Sequence, residues 1–215
     1  MGGTMTAEPV QNDARLRPEP EEDDAPRWPM PPVDGYTVDD LFTLPDLPPH
    51  TELIDGSLVF VSPQRRFHAR VIHLLTALLS DAAPDHLSVE PEMAVRLDRR
   101  TALEPDVSVV RTEAVRSFSQ TSFVAADIVL AVEVVSPESE ARDRKTKPVR
   151  YAEAGIPHFW LVEMAENDEH PVVHVYELDV PTGAYGLTGI HHDRLKITVP
   201  FEIDIDISLD ALRAL

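Results

Sequence analysis

The chain contains no cysteine, which excludes a disulfide framework, a thiolate zinc site and a cysteine nucleophile. Lysine is almost missing too. Of 19 basic residues only Lys145, Lys147 and Lys196 are lysines, and the others are arginines. Two of the three lysines therefore fall in one short segment. Positive charge of any kind is scarce, because 38 acidic residues leave a formal net charge of −19 over 215 residues. So acidic a body repels phosphate backbones at long range. That argues against unspecific coating of nucleic acid, yet leaves room for a local site that holds a metal ion. No apolar run reaches the roughly 18 residues that span a membrane, and the N-terminus lacks a basic-then-apolar signal pattern. The expectation is a soluble, cytoplasmic protein with no membrane partner.

What the chain does have is an ordinary globular composition, 43% hydrophobic and 27% charged. Residues 1–31 stand apart. They include the block Glu19-Pro20-Glu21-Glu22-Asp23-Asp24 and almost no aliphatic residues, the composition of a disordered acidic, Pro-rich tail. This stretch carries −4, so −15 belongs to the domain expected over 32–215. Thr37 is placed to cap a first helix, whose Asp39 and Asp40 suit the positive end of its dipole. Asp55-Gly56 between apolar runs predicts a hairpin over 51–61. Phe67, Val71, Leu74, Leu75 and Leu78 recur at helical spacing and predict a long helix over about 64–83. Strands are expected over 87–97, interrupted at Pro91, over 105–110, and over 127–135. The last is a nearly continuous apolar run, as in a strand covered on both faces. A helical segment over about 141–154 closed by Gly155, strands at 159–162, 172–176 and 195–199, and a short final helix complete the order. This order describes one α/β domain with a mixed β-sheet flanked by helices.

Glu133 is the most informative residue. It sits within Ile128-Val129-Leu130-Ala131-Val132-Glu133-Val134-Val135, on the strand face of Ala131 and Val135. A buried carboxylate without a partner costs several kcal/mol, so Glu133 must meet a cation, a metal or a proton, or else lie at an exposed strand end. Asp106 opens the strand Pro105-Asp106-Val107-Ser108-Val109-Val110. If the two strands pair, Asp106 and Glu133 point into one cleft and form a hard oxygen site suited to Mg²⁺ or Mn²⁺. Asp143, Lys147 and Tyr151 follow at i, i+4 and i+8, the spacing of one helix face. Pro148 complicates that face, because the regular helix could begin only at Lys147-Pro148. By their own context, Glu52 reads as an exposed hairpin acid and His68 as a structural or solvent-facing residue. His191-His192 reads as a polar loop pair without helical metal-site spacing.

Taken in order, these segments resemble the Uma2 family of restriction-endonuclease-like proteins. The resemblance runs from Glu52-Leu53-Ile54-Asp55-Gly56 and the helix with His68, through Pro105-Asp106-Val107-Ser108-Val109-Val110 and Val132-Glu133-Val134-Val135-Ser136-Pro137. It continues over Asp143, Lys147 and Tyr151 to Ala154-Gly155-Ile156-Pro157-His158-Phe159-Trp160-Leu161-Val162. It covers about residues 36–210. The family is similar to the PD-(D/E)xK nuclease superfamily, which implies a restriction-endonuclease-like mixed sheet with a metal site at its strand ends. Where the superfamily places lysine two residues after the glutamate, this chain has Val135. The family pattern supplies a lysine from the next helix instead, which matches Lys147, with Lys145 as a rival.

The resemblance implies metal-assisted phosphodiester hydrolysis. Glu52, Asp106, Glu133 and Lys147 would be catalytic. Asp106, Glu133 and the backbone carbonyl of Val134 would bind Mg²⁺ or Mn²⁺, while Asp143, Tyr151 and His68 would hold these groups in place. Nucleic acid, foremost DNA, would be the substrate, and a homodimer would suit double-strand cutting. Two alternatives stay open on the residues alone. One is a binding module on a nuclease fold that has lost turnover. The other is a hydrolase of a small phosphate ester, which needs no long basic groove.

Overall fold

The structure is a computed structural model that describes residues 31–61, 63–165 and 169–215. The tail expected over 1–31 lies, but for Pro31, outside the described residues. Thr37 caps α1 (Val38–Thr43), and Asp40 returns the bond in a capping box. The Asp55-Gly56 turn joins β1 (Glu52–Ile54) to β2 (Ser57–Val59), and both turn residues take a positive φ. Gly56 is also constrained from outside, since a Cβ there would lie 2.6 Å from the Arg100 guanidinium. Helix α2 (Arg66–Ala82) buries Val71, Ile72, Leu74, Leu75 and Leu79, with Phe67 and Leu78 at the edge of the stripe.

The stretch 87–97 is two strands in two different sheets, β3 (Leu87–Pro91) and β4 (Ala94–Arg96). Pro91 has no N–H to carry the ladder onward, and Glu92 follows it with a φ of 50°, so the chain leaves one sheet and enters the other. Next come β5 (Ala102–Leu103), β6 (Val107–Arg111), β7 (Ser122–Val124) and β8 (Ile128–Val134). A π-helical turn (Arg142–Thr146) runs directly into α3 (Lys147–Glu153). Then follow β9 (His158–Met164), β10 (Pro171–Asp179), β11 (Ala184–His191), β12 (Arg194–Ile197), β13 (Ile203–Asp206) and α4 (Leu209–Ala214). His191 therefore closes a strand instead of lying in a loop, and His192 meets His170 with a ring N···N distance of 3.0 Å.

The mixed α/β architecture agrees with the sequence, but the strands divide among more than one sheet. A six-stranded sheet has the order β11-β10-β9-β8-β6-β3, a five-stranded sheet β2-β1-β5-β4-β7, and β12-β13 form a ribbon. In the larger sheet only β8 and β9 run parallel. Parallel neighbours need a crossover, and the π-turn with α3 provides it. That topology puts the residues after Glu133 above the end of their own strand.

Strand β8 is covered on both faces. Leu130, Val132 and Val134 pack with α2, α4 and the ribbon. Ile128 and Ala131 pack with Ile54, Val95, Leu103 and Phe123 of the five-stranded sheet and with Tyr151 of α3. Glu133, alternating with Val132 and Val134, falls on this second face. Among the described residues no helix is long and apolar enough to cross a membrane.

Candidate active site

Strand β6 pairs antiparallel with β8, and Val107 lies opposite Val132. One step outward, Asp106 lies opposite Glu133, and opposed residues share a sheet face. Both side chains line one cleft at the sheet's end. Asp106 is fixed from two sides. The Val134 N–H donates to its Oδ2 at 2.5 Å, and His68 Nε2 lies 3.1 Å from its Oδ1. The Val135 N–H points to β9, where it donates to the Val162 carbonyl. The N–H and C=O of Val134 therefore both turn toward β6 and Asp106.

Glu133 is 1% exposed and has a partner on each oxygen. The Lys147 ammonium donates to Oε2 at 2.8 Å, and the Tyr151 hydroxyl donates to Oε1 at 2.5 Å. Lys147 also lies 2.9 Å from Glu52 Oε1 and 3.6 Å from Asp143 Oδ1. The three carboxylates and the ammonium are all buried. Glu52, which the hairpin alone marks as exposed, is 2% exposed. Strand alternation explains the difference: Leu53 faces α1, whereas Glu52 and Ile54 face the other way, toward Lys147 of α3 and the core against the larger sheet. The Glu104 N–H donates to Glu52 Oε1 at 3.0 Å, so the carboxylate is anchored from the backbone as well.

Asp143, Lys147 and Tyr151 converge although the segment is not one uninterrupted α-helix. The regular helix starts at Lys147-Pro148, and the turn before it is π-helical. Such turns recur at functional sites. The geometry also separates the two lysines. Lys147 is in the cluster, whereas Lys145 is exposed and lines a different cavity.

The electrostatics follow from this packing. Burial pushes the Glu133 carboxyl well above the usual range, and the charges of Asp143, Asp106 and Glu52 add to it against the pull of Lys147. Burial opposes the Lys147 charge, but four carboxylates outweigh it and hold the ammonium protonated. Asp143 is raised for the same first reason, burial. The Tyr151 phenol is also raised, by burial and by Glu133, and stays a neutral donor.

His68 is 8% exposed, a buried partner of Asp106 instead of a solvent-facing side chain. Burial disfavours its charge, but the bond to Asp106 and the charges of Asp106, Asp143 and Glu92 raise its pKa above 6.5. In the unfolded chain histidine titrates near 6.5. The stabilisation from this pair is therefore fully present below that pH and is lost as pH rises through the folded value. Chemical denaturation in chelator should show stability falling over that range, and His68→Gln should flatten the fall. A slope unchanged in His68→Gln would assign it elsewhere, first to His50, whose pKa is raised by its bond to Glu104.

The sequence reading missed several residues of the cleft. His50 bonds Glu104, Gln64 Nε2 donates to Glu92 at 2.7 Å, and Arg142 lines the wall. His50 and Glu92 both carry a positive φ, a conformation that side chains of this kind adopt at a cost and that clusters at functional sites. Glu104 adjoins the Pro105-Asp106 motif and was the one with a local signal. Among the described residues the arginines do not gather into one stripe. Arg142 faces this cleft, Arg65 meets Glu138 at its rim, Arg99 lines another pocket, and Arg100 is bound to the Asp55 carbonyl.

The donors present suit a hard divalent cation. Seven carboxylates line the cleft against Lys147 and Arg142 as fixed cations, and Glu52 Oε2 is buried without a hydrogen-bond partner. Among the described residues no group of three or more Asp, Glu or His side chains is placed to hold a metal ion. Magnesium does not need one, since it is held by one or two carboxylates and keeps several waters. The cleft is open on one side, and the space of about 70 Å³ within it has room for an ion with a few waters.

A mixed sheet with carboxylates at its strand ends defines the restriction-endonuclease-like class. A crystal structure of "a putative nuclease belonging to DUF820" from Anabaena variabilis has this fold. It matches with a TM-score of 0.63 and 17% identity, over 83% of this chain and 97% of that one. The family model of Uma2, described as "Putative restriction endonuclease", matches residues 38–210. The chain belongs to the Uma2 family. No curated protein matches it.

Proposed function

We propose that this protein is a Mg²⁺- or Mn²⁺-dependent endonuclease that hydrolyses phosphodiester bonds of DNA in the cytoplasm. The reading is carried by one observation: Asp106 and Glu133 meet across paired strands with the Lys147 ammonium 2.8 Å from Glu133. The nuclease-like fold and the Uma2 family support it. Asp106, Glu133 and the Val134 carbonyl would hold the cation. A cation held there would supply Lewis-acid polarisation of a phosphoryl oxygen and acidify a water.

The chain's own groups do the rest. An ammonium has three N–H donors; Lys147 donates one to Glu133 and lies 2.9 Å from Glu52 as an ion pair. A remaining donor would orient water or meet charge developing on the phosphate. Tyr151 and His68 fix the carboxylates, so neither must reorganise during reaction. Glu52 sets the ammonium's position. Arg142 has a buried Nε without a hydrogen-bond partner and lines the cleft, where it would neutralise the incoming phosphate. Two copies paired about a symmetry axis would supply the two sites that double-strand cutting requires.

The test is cleavage of single- and double-stranded DNA with Mg²⁺ or Mn²⁺. We expect activity that chelator abolishes and that Asp106→Asn removes. Arg142→Ala should raise KM roughly tenfold with a smaller change in kcat, the signature of lost substrate binding. One observation favours a second reading, a binding module without turnover: both oxygens of Glu133 and both of Asp106 already have partners. That reading predicts no heat of Mg²⁺ binding in calorimetry and no cleavage under any metal. A small phosphate ester as substrate would show instead as cleavage independent of strand length.

A further inference from the structure

A second cavity, of about 400 Å³, lies on the other side of α3 from the carboxylate cluster. It falls in the size range of small-molecule sites. Its floor is Phe159, whose ring centroid lies 5.7 Å from that of Tyr176 and 5.4 Å from that of Tyr185. Arg144 and Lys145 stand at its rim. Local details shape this hollow. The β10–β11 register shifts between Val175 and Tyr176, where Thr188 of β11 is the extra residue, and bulges re-aim side chains. The Tyr185 hydroxyl donates to the Ile156 carbonyl at 2.7 Å, which fixes its ring as a wall. The charges at the rim are nearly all committed. Arg144 is held by Glu163 and Glu140, and Glu153 by Arg150. Lys145 has no ion-pair partner among the described residues. In a chain of net charge −19, an uncommitted cation beside an aromatic hollow selects a ligand with a flat apolar body and an anionic end.

We propose that this cavity binds a planar aromatic anion of the mononucleotide type. The base lies against the Tyr176 and Tyr185 rings, a contact that tolerates any base, and the phosphate meets Lys145. The π-turn and α3 form the wall between this cavity and the carboxylate cluster. Asp143, Lys147 and Tyr151 face the cluster, while Arg144, Lys145, Pro148 and Ala152 line the cavity. A ligand here therefore stiffens the element that carries Lys147. The inference stands on this cavity and does not rest on the hydrolytic reading.

The test is calorimetric titration of the full chain with deoxyadenosine monophosphate in chelator. One saturable site per chain is expected. Lys145→Ala should weaken it about tenfold, and Ala184→Trp at the cavity's edge should abolish it. Hydrogen exchange should slow over Arg142–Glu153 when the nucleotide binds. Competition by a 5′-phosphorylated oligonucleotide identifies a strand end as the natural source, and lack of competition identifies a free nucleotide. Absence of saturable binding to the folded protein overturns the proposal. So does inorganic phosphate binding as tightly, or Lys145→Ala binding normally. Self-association that Ala184→Trp abolishes also overturns it, because a second copy then covers the cavity. Binding is read without cleavage, so this result and the nuclease assay fail independently.

Discussion

Lys147→Met should be the most destabilising single substitution in the site. It leaves Glu52, Glu133 and Asp143 buried around no cation. Removing one partner of a buried ion cluster costs about 3–5 kcal/mol, because the remaining charges lose their compensation. For a domain of this size that is a fall in Tm of roughly 6–20 °C, read by thermal denaturation. Lys145→Met makes the same chemical change on an exposed neighbour and should leave Tm within about 1 °C. The cause can be isolated by a cycle. Adding Glu133→Gln to Lys147→Met removes one uncompensated carboxylate, so the double variant should be more stable than the sum of the singles by roughly 0.5–3 kcal/mol. Additive losses would mean that Lys147 matters through its packing and not its charge.

Glu133→Gln alone should separate folding from chemistry. Burial already pushes the Glu133 carboxyl toward its neutral form, and the amide has the same shape. Its oxygen can accept from Lys147 and its NH₂ can face Tyr151, while Glu52 and Asp143 still balance the ammonium. Stability should therefore change by no more than about 1 kcal/mol. Cleavage should fall by roughly 10²–10³-fold, the scale for losing a group that stabilises transition-state charge, and the heat of Mn²⁺ binding should shrink with it. Unchanged cleavage in this variant would remove Glu133 from the mechanism. Lost cleavage together with a large loss of stability would show that the substitution tests only folding.

Much of this was legible in the chain. A glutamate inside Val132-Glu133-Val134 declares that it needs a partner, because neighbouring apolar residues announce burial. The alternation that puts Glu133 on the Ala131 face, the Thr37 cap and the Asp55-Gly56 turn are local rules, and local rules survive folding. Other features were not readable. Strands β5 and β7 have two and three residues, too few for a period to show. The change of sheet between β3 and β4 depends on which partner strands are present. Glu52 carried no local sign of burial, since its partners, Lys147 on α3 and the Glu104 backbone, come from far along the chain.

The sequence by itself determined the supply of groups: no thiols, few cations, an acid in an apolar strand, and two of only three lysines in one short segment. These follow from residue type and period, which need no long-range contact. Only the tertiary structure decided which groups meet. Antiparallel pairing of β6 with β8 set Asp106 opposite Glu133, and the parallel β8–β9 step required a crossover whose π-turn and α3 deliver Asp143 and Lys147 to the same point. Lys147 and not Lys145 reaches the carboxylates because the two face opposite sides of that crossover.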